Sequence, residues 1–414
     1  MPIGSPMKLL ARILLVAAPL ALSASCGAPE PAMRAAEPVA RNFPAADVQR
    51  GANLAALGNC VTCHTAHAGM PFAGGYPLKT PFGTVHGTNI TPDAETGIGK
   101  WTLADFTRAL REGLDPEGHH YYPAFPYAYF THLDDADIAA LYAFLMTREP
   151  VRATNPANTV LVPRAAVAVW NSRYLHRGPI EPDAAHDAAW NRGHYLAESL
   201  AHCSECHTPR DKLGGEKRDQ YMEGGEAGGW HAPALDEHSP SPVAWTVPAM
   251  ERYLRIGLTD DHAITAGPMR GVVDNLGHAS VPDVHALAEY IVSMERRSPA
   301  PPGSPGGASR RGAELYAGSC ADCHDRGRQA EGGALRLQEA IAVTLPTPRN
   351  LIHIVRDGIE PREDRSQPWM PAFKGSLSDE QMAELVAYVR TLGSAPPWDD
   401  VAGEIKAVER EGEK

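Results

Sequence analysis

The chain has 414 residues, a formal net charge of −12 and 43% hydrophobic residues, with 38 Gly and 37 Pro. That length fits about two to four globular domains, the acidic balance argues against nucleic acid as a partner, and the Gly and Pro content demands many turns and loops. Seven cysteines are present, and their placement carries most of the information.

From the N-terminus, Lys8 and Arg12 lead into an apolar run from Ile13 to Leu22, then Ser23, Ala24, Ser25 and Cys26. A basic start, a short apolar run and small residues are the parts of a secretory signal peptide, here residues 1–26. The run is too short for a dependable membrane span. Cys26 stands where a lipoprotein signal places its anchoring cysteine, although Leu22 precedes it by four residues and not the usual three. Two outcomes remain open: a lipid anchor at Cys26, or ordinary cleavage nearby.

The other six cysteines form one pattern three times: Cys60/Cys63/His64, Cys203/Cys206/His207 and Cys320/Cys323/His324. Each Cys-x-x-Cys-His supplies two thiols spaced to add across the two vinyl groups of one haem, and a histidine placed to ligate the iron. Structural zinc would need four ligands, and these pairs lie far apart in the chain, each with its own histidine. A thioredoxin-like CxxC is expected once, in a βαβ setting, and disulfides need no repeated histidine. The expectation is three covalent haem c groups, each with one histidine axial ligand. Bacteria attach haem c outside the cytoplasmic membrane, so the mature chain is expected on its periplasmic side, anchored or peripheral.

An Arg-Gly pair precedes each motif, at Arg50/Gly51, Arg192/Gly193 and Arg311/Gly312, in a predicted helix with Asp47 or Asp187 near the start of the first two. A glycine there lets another helix cross closely. After each motif the chain closes with an amphipathic helix, marked by Ile138/Leu141/Tyr142/Leu145, Val284/Leu287/Ala288/Ile291 and Met382/Leu385/Val386/Val389. Acidic residues Asp137, Asp283 and Asp379 suit the helix starts.

These repeats predict an all-α protein of three tandem class I cytochrome c-like domains, at 41–150, 184–297 and 309–395. A strap at 151–183, whose apolar part from Val160 to Trp170 packs across the first two domains, joins them. A Pro/Gly linker at 298–308 precedes the third, and a charged tail at 396–414 ends the chain.

A second axial ligand is commonly methionine. Gly257 is followed twelve residues later by Met269, and Gly358 twelve residues later by Met370. The same ruler from Gly113 reaches Phe125, and Trp101 to Phe125 repeats the spacing of Trp245 to Met269. Phenylalanine cannot ligate iron. The sixth position of haem one is therefore unknown: His119, His120, His132, His67, His86, Met70 and Met146 are the nearby candidates, or the site stays open.

With these residues in view, the sequence resembles the triheme cytochrome c subunits of bacterial membrane-associated dehydrogenases, the alcohol, aldehyde and gluconate dehydrogenase cytochromes. The marks are Cys60 to Thr65, Asn89-Ile90-Thr91-Pro92-Asp93 with Thr96-Gly97-Ile98-Gly99 and Trp101, His202 to Arg210, Gly267-Pro268-Met269 and Met370-Pro371-Ala372-Phe373. The resemblance implies an electron-transfer subunit that accepts electrons from a catalytic dehydrogenase subunit and hands them to quinone or a terminal oxidase. Alcohol dehydrogenase cytochromes of this kind usually show Tyr-Pro-Ala-Met-Pro-Tyr where this chain has Phe125, and often a C-terminal amphipathic membrane helix where this tail is hydrophilic. The Ala-Phe-Pro-Tyr version looks more like cytochromes paired with molybdenum hydroxylases. Quinoprotein and flavoprotein partners remain open.

No catalytic residue is assigned. The chain has no nucleotide-binding glycine fingerprint, no evident flavin site and no molybdenum motif, so substrate oxidation falls to the partner. The alternative is a haem enzyme that reduces peroxide or a nitrogen oxide at an open haem one.

Overall fold

The computed structural model describes residues 42–295, 309–328, 333–361, 369–393 and 395–412. The predicted signal peptide, Cys26 and the predicted 298–308 linker lie outside these residues. From its start the chain forms α1 (Ala45–Leu57), the single turn α2 (Cys60–Cys63), a ribbon of β1 (Pro77–Thr80) and β2 (Gly83–His86), α3 (Leu103–Glu112), α4 (Tyr127–Phe130) and α5 (Asp135–Met146). A 3-10 turn at Arg164–Ala166 and α6 (Val167–Tyr174) make the connection. The order then repeats with α7 (Ala188–Glu198), α8 (Ser204–His207), a ribbon of β3 (Gly225–Ala227) and β4 (Trp230–Ala232), α9 (Val247–Ile256), α10 (Pro268–Leu276) and α11 (Val281–Met294). The last segment holds α12 (Arg310–Ser319), α13 (Ala321–His324), α14 (Ile341–Thr344), α15 (Arg349–Asp357), α16 (Asp379–Leu392) and α17 (Val401–Gly412).

The molecule is predominantly helical, but not purely so. Two short antiparallel ribbons follow the first two motifs, with Thr80 opposite Gly83 and Ala227 opposite Trp230. Gly83 sits at φ +127°, a value open to glycine, and closes the first hairpin. Strands of three or four residues carry too little alternation to show in the sequence.

Local chemistry sets the helix ends. Thr102 and Asp105 form a capping box at the start of α3, and Ser378 and Gln381 form another at α16. α3 and α9 both stop at a glycine in the left-handed region, Gly113 and Gly257.

The helix before each motif crosses the closing helix of the same segment through its glycine. A methyl group on Gly51 would lie 2.0 Å from the Ala140 carbonyl oxygen, one on Gly193 would lie 2.0 Å from that of Ala286, and one on Gly312 would lie 2.3 Å from that of Glu384. The arginine before each glycine binds an acid on that helix: Arg50 to Asp137 at 2.6 Å, Arg192 to Asp283 at 2.8 Å and Arg311 to Glu384 at 3.3 Å.

Packing departs from three equivalent units. Helices α1, α3, α5, α7, α9, α10 and α11 contribute to one continuous apolar core, whereas the residues from 309 onward have a core of their own. α5 is accordingly buried on nearly every side, including Ala140, Ala143, Phe144 and Met146 beyond its amphipathic stripe. Asp137 is fully buried between the first two segments, where Arg50, Arg192 and the Tyr195 hydroxyl reach it.

The strap and the C-terminal segment each carry more than their composition shows. The strap does pack Trp170 against Tyr127 and bonds its Nε1 to the Leu213 carbonyl, but Leu161 within it is 91% exposed. The charged C-terminal segment is the helix α17, whose Ile405 and Val408 are buried in the last core. Arg349 ties α17 down through Glu404 and Glu411.

Candidate functional site

Each Cys-x-x-Cys-His folds as a single helical turn. The histidine amide donates to the carbonyl of the first cysteine in every case, at 3.1 Å for His64, 3.1 Å for His207 and 3.0 Å for His324. Positions i, i+3 and i+4 of a helical turn share a face, so the two thiols and the imidazole are presented together.

Each imidazole is then oriented by a backbone oxygen. His64 Nδ1 lies 2.6 Å from the Thr88 carbonyl, His207 Nδ1 2.7 Å from that of Pro233, and His324 Nδ1 2.6 Å from that of Leu335. A carbonyl only accepts, so Nδ1 carries the proton and Nε2 keeps its lone pair. That is the tautomer needed for metal ligation through Nε2. Burial pushes His64 and His207 below the usual histidine range, which keeps both rings neutral.

The thiols are not poised as nucleophiles or as a thiolate metal site. All six cysteines are free. Burial pushes Cys60, Cys203 and Cys206 up to about 12, and Cys63 and Cys320 up to about 11. Reactive or zinc-binding cysteines need the opposite shift.

A cavity of about 680 Å³ runs from Cys203, Cys206, His207 and Met269 at one end to Cys320, Cys323, His324 and Met370 at the other. Its walls are mainly apolar, including Trp245, Leu254, Val272, Leu287, Leu351 and Val386. Such a lining fits a flat, apolar macrocycle fixed by two thioethers and one imidazole at each end. The second and last segments are held in register beside it: Asn350 and His231 exchange two hydrogen bonds, and Trp230 stacks on His353 at 4.6 Å.

The loops leading to the distal positions share one backbone pattern. Leu258 bridges Ile264 and the Thr265 amide bonds the Gly257 carbonyl, four residues before Met269. In the first segment Leu114 bridges His120 and the Tyr121 amide bonds the Gly113 carbonyl, four residues before Phe125. Phe125 thus stands at the same register position as Met269, although Met269 is the second residue of α10 and Phe125 lies in a bend before α4. Its ring packs against Tyr121, Tyr127 and Phe130, with centroids 5.5 to 6.1 Å away. In the last segment Ile359 and Met370 pair directly.

The other first-segment candidates scatter. His119 is 63% exposed beside Asp115, Met70 is 57% exposed and His67 is also on the surface. Asn171 approaches His120, His132 Nδ1 bonds the Gly178 carbonyl, and Met146 is in the shared core. His86 has a buried Nδ1 without a hydrogen-bond partner among the described residues. It lies two residues before Thr88, whose carbonyl orients His64.

The three carbonyl partners were missed in the sequence, because they sit 24, 26 and 11 residues beyond the histidines and any residue type can supply them. The Asn89 to Trp101 loop is structural: Asn89 and Thr91 are buried and clasp each other, Thr96 and the Val151 carbonyl. Among the described residues no helix is long and apolar enough to cross a membrane.

Two family models match the chain: "Cytochrome c" over residues 48–149, and "Cytochrome C oxidase, cbb3-type, subunit III" over residues 307–389. The chain is 33% identical to the fructose dehydrogenase cytochrome subunit of Gluconobacter japonicus, across 85% of this chain and 80% of that protein. It is 35% identical to the cytochrome c subunit of alcohol dehydrogenase (quinone) of Gluconobacter oxydans, across 88% and 82%. A nicotinate dehydrogenase subunit of Pseudomonas putida is 41% identical across 89% of this chain, which spans only 32% of that longer protein.

Proposed function

Since the chain belongs to the cytochrome c subunits of dehydrogenase complexes, we propose that it is a triheme electron-transfer subunit with three tandem haem-binding domains. The observation that carries this reading is the threefold recurrence of a CxxCH turn whose histidine Nδ1 is committed to a backbone carbonyl. Cys60/Cys63, Cys203/Cys206 and Cys320/Cys323 hold the haems, His64, His207 and His324 are the first axial ligands, and Met269 and Met370 complete the second and third sites. Haem c supplies reversible one-electron chemistry, and a series of three makes a conductor between a dehydrogenase and its acceptor.

The chain's own residues orient the ligands, exclude water and set the potentials by ligand type and burial. The catalytic partner is a separate dehydrogenase subunit, with a molybdenum hydroxylase favoured. Support comes from Phe125 and from the 41% identity to a nicotinate dehydrogenase subunit, since nicotinate is an N-heteroaromatic acid. Quinone or a terminal oxidase takes the electrons, and the quinone in the Gluconobacter oxydans relative's name supports the former. The site of action is the periplasmic side of the cytoplasmic membrane, by export and with a possible lipid anchor at Cys26.

Counting haems tests the reading. A pyridine haemochrome assay with intact mass should give three haems per chain, and two would overturn it. Phe125 in a methionine's position favours a second reading, in which the first haem reduces peroxide or a nitrogen oxide. Stoichiometric carbon monoxide binding at one haem together with peroxide turnover would select it; six-coordinate spectra without turnover would remove it.

A further inference from the structure

We propose that Glu198 is a proton-binding site coupled to the redox state of the second haem, taking up a proton when that haem is reduced. This rests on the reading that Cys203, Cys206 and His207 hold a haem.

Glu198 ends α7, five residues before Cys203. Its Oε1 accepts from the Tyr221 hydroxyl and, at 3.4 Å, from that of Tyr290; the two phenols are 3.2 Å apart. The carboxyl also faces a second cavity, of about 220 Å³, between the first and second segments. No lysine, arginine or histidine of the described residues lies within ion-pair distance of it. Two other partly buried acids do have such partners: Asp283 pairs with Arg192, and Glu205 with Arg210.

Charged and titratable groups face Glu198 from several elements. On α7, His194 stands one turn earlier and is lowered by burial, so it is neutral. α11 offers only Tyr290. From the segment after the second motif come Glu216, which opposes ionisation of Glu198, and Arg218, which favours it. Across the cavity lie Glu205 and Arg210 from the motif and its loop, Tyr129 and His132 from the first segment, and Arg173, Tyr174 and His176 from the strap. Glu216 and Arg210 both bond Tyr129. The balance leaves Glu198 pushed up to about 7 by burial first and by Glu216 second, at the edge of ionisation.

The haem site is reached through α11: Tyr290, bonded to Glu198, stands on the helix whose Leu287 and Ile291 line the cavity that holds Cys203. The Glu198 charge is the foremost electrostatic influence on the Cys203 thiol, after burial. An oxidised iron centre attached there adds a positive charge that favours the carboxylate, and reduction removes it. Charge balances when one electron, delivered by the dehydrogenase partner, reaches the iron and one solvent proton binds the carboxylate. By linkage, the factor by which reduction raises proton affinity is the factor by which protonation favours reduction. Each tenfold of that factor corresponds to about 59 mV.

Spectroelectrochemical titration of the full-length, haem-loaded protein across neutral pH provides the test. One of the redox components should fall in potential as pH rises through neutrality, its slope should vanish in Glu198→Gln, and Glu198→Asp should restore it. A slope that survives Glu198→Gln, or components that are all flat in the wild type, overturns the proposal. Reduced-minus-oxidised infrared spectra of the wild type give an independent readout: a protonated carboxyl band that shifts on ¹³C-glutamate labelling should appear on reduction, and its absence overturns the proposal equally. Absence of haem from Cys203 and Cys206 in the wild type, seen by peptide mass, instead overturns the reading beneath it.

Discussion

The Cα of Gly51 faces the carbonyl oxygen of Ala140 so closely that an added methyl would lie 2.0 Å from it. Gly51→Ala must therefore push α1 away from α5, and the same holds for Gly193 against Ala286. Each substitution should cost about 1–3 kcal/mol or more, the range for overpacking. Gly318 is the control: it is helical with nothing within 4 Å of an added methyl, so Gly318→Ala should stabilise by roughly 0.5–1 kcal/mol. Urea unfolding of the four proteins ranks them.

Asp137 is buried between Arg50 and Arg192 and accepts a hydrogen bond from Tyr195. Asp137→Asn takes the counter-charge from the half-exposed Arg50, while Arg192 keeps Asp283 at 2.8 Å. The guanidinium left behind reaches water, so the expected loss is about 1–3 kcal/mol, that of a charged hydrogen bond. Arg50→Met leaves the fully buried Asp137 carboxylate with Arg192 at 3.8 Å and the Tyr195 hydroxyl, and should cost more. Chemical denaturation at neutral pH measures both.

Replacing the proposed distal ligands should act locally. Met269→Ala should lower the potential of the second haem and let reduced protein bind carbon monoxide there, and Met370→Ala should do the same for the third. Phe125→Met inserts a thioether at the register position equivalent to Met269, and should raise the potential of the first haem while abolishing any carbon monoxide binding. Redox titration with visible spectroscopy reads all three.

Stability should fall with rising pH through one identifiable group. Glu198 lies at about 7 in the folded protein against an ordinary 4.5, so between those values the native state holds the proton that the unfolded chain releases. Its contribution is fully present below 4.5 and lost as pH passes 7, a change on the order of 3 kcal/mol at ~1.4 kcal/mol per pH unit. Glu198→Gln should flatten that part of the profile in urea titrations.

What the chain reveals without a structure follows from how local each feature is. The closing helices were readable because Ile138, Leu141, Tyr142 and Leu145 and their counterparts recur with helical period, and all are buried. The Phe125 register was readable because Gly113 and Gly257 end equivalent helices at the same distance from it and from Met269. Long-range choices were not. Nothing in Thr88, Pro233 or Leu335 marks a carbonyl that will meet a histidine. The merger of the first two cores left one trace, the apolar residues on every face of α5, which a search for a single stripe passes over. Burial of α17 depends mainly on Ile405 and Val408, with Val401 beside them, set among charged neighbours.

The joint interior of the first two segments also bears on how the protein is made. A chain made from its N-terminus presents Cys60 and Cys63 while the partner half of that interior, from α7 to α11, is still to come. Until then the first thiols stand in an unfinished fold, and arrival of α11 completes the interior against which Cys60 and Cys203 both pack. The third pair belongs to a separate interior that can form on its own schedule.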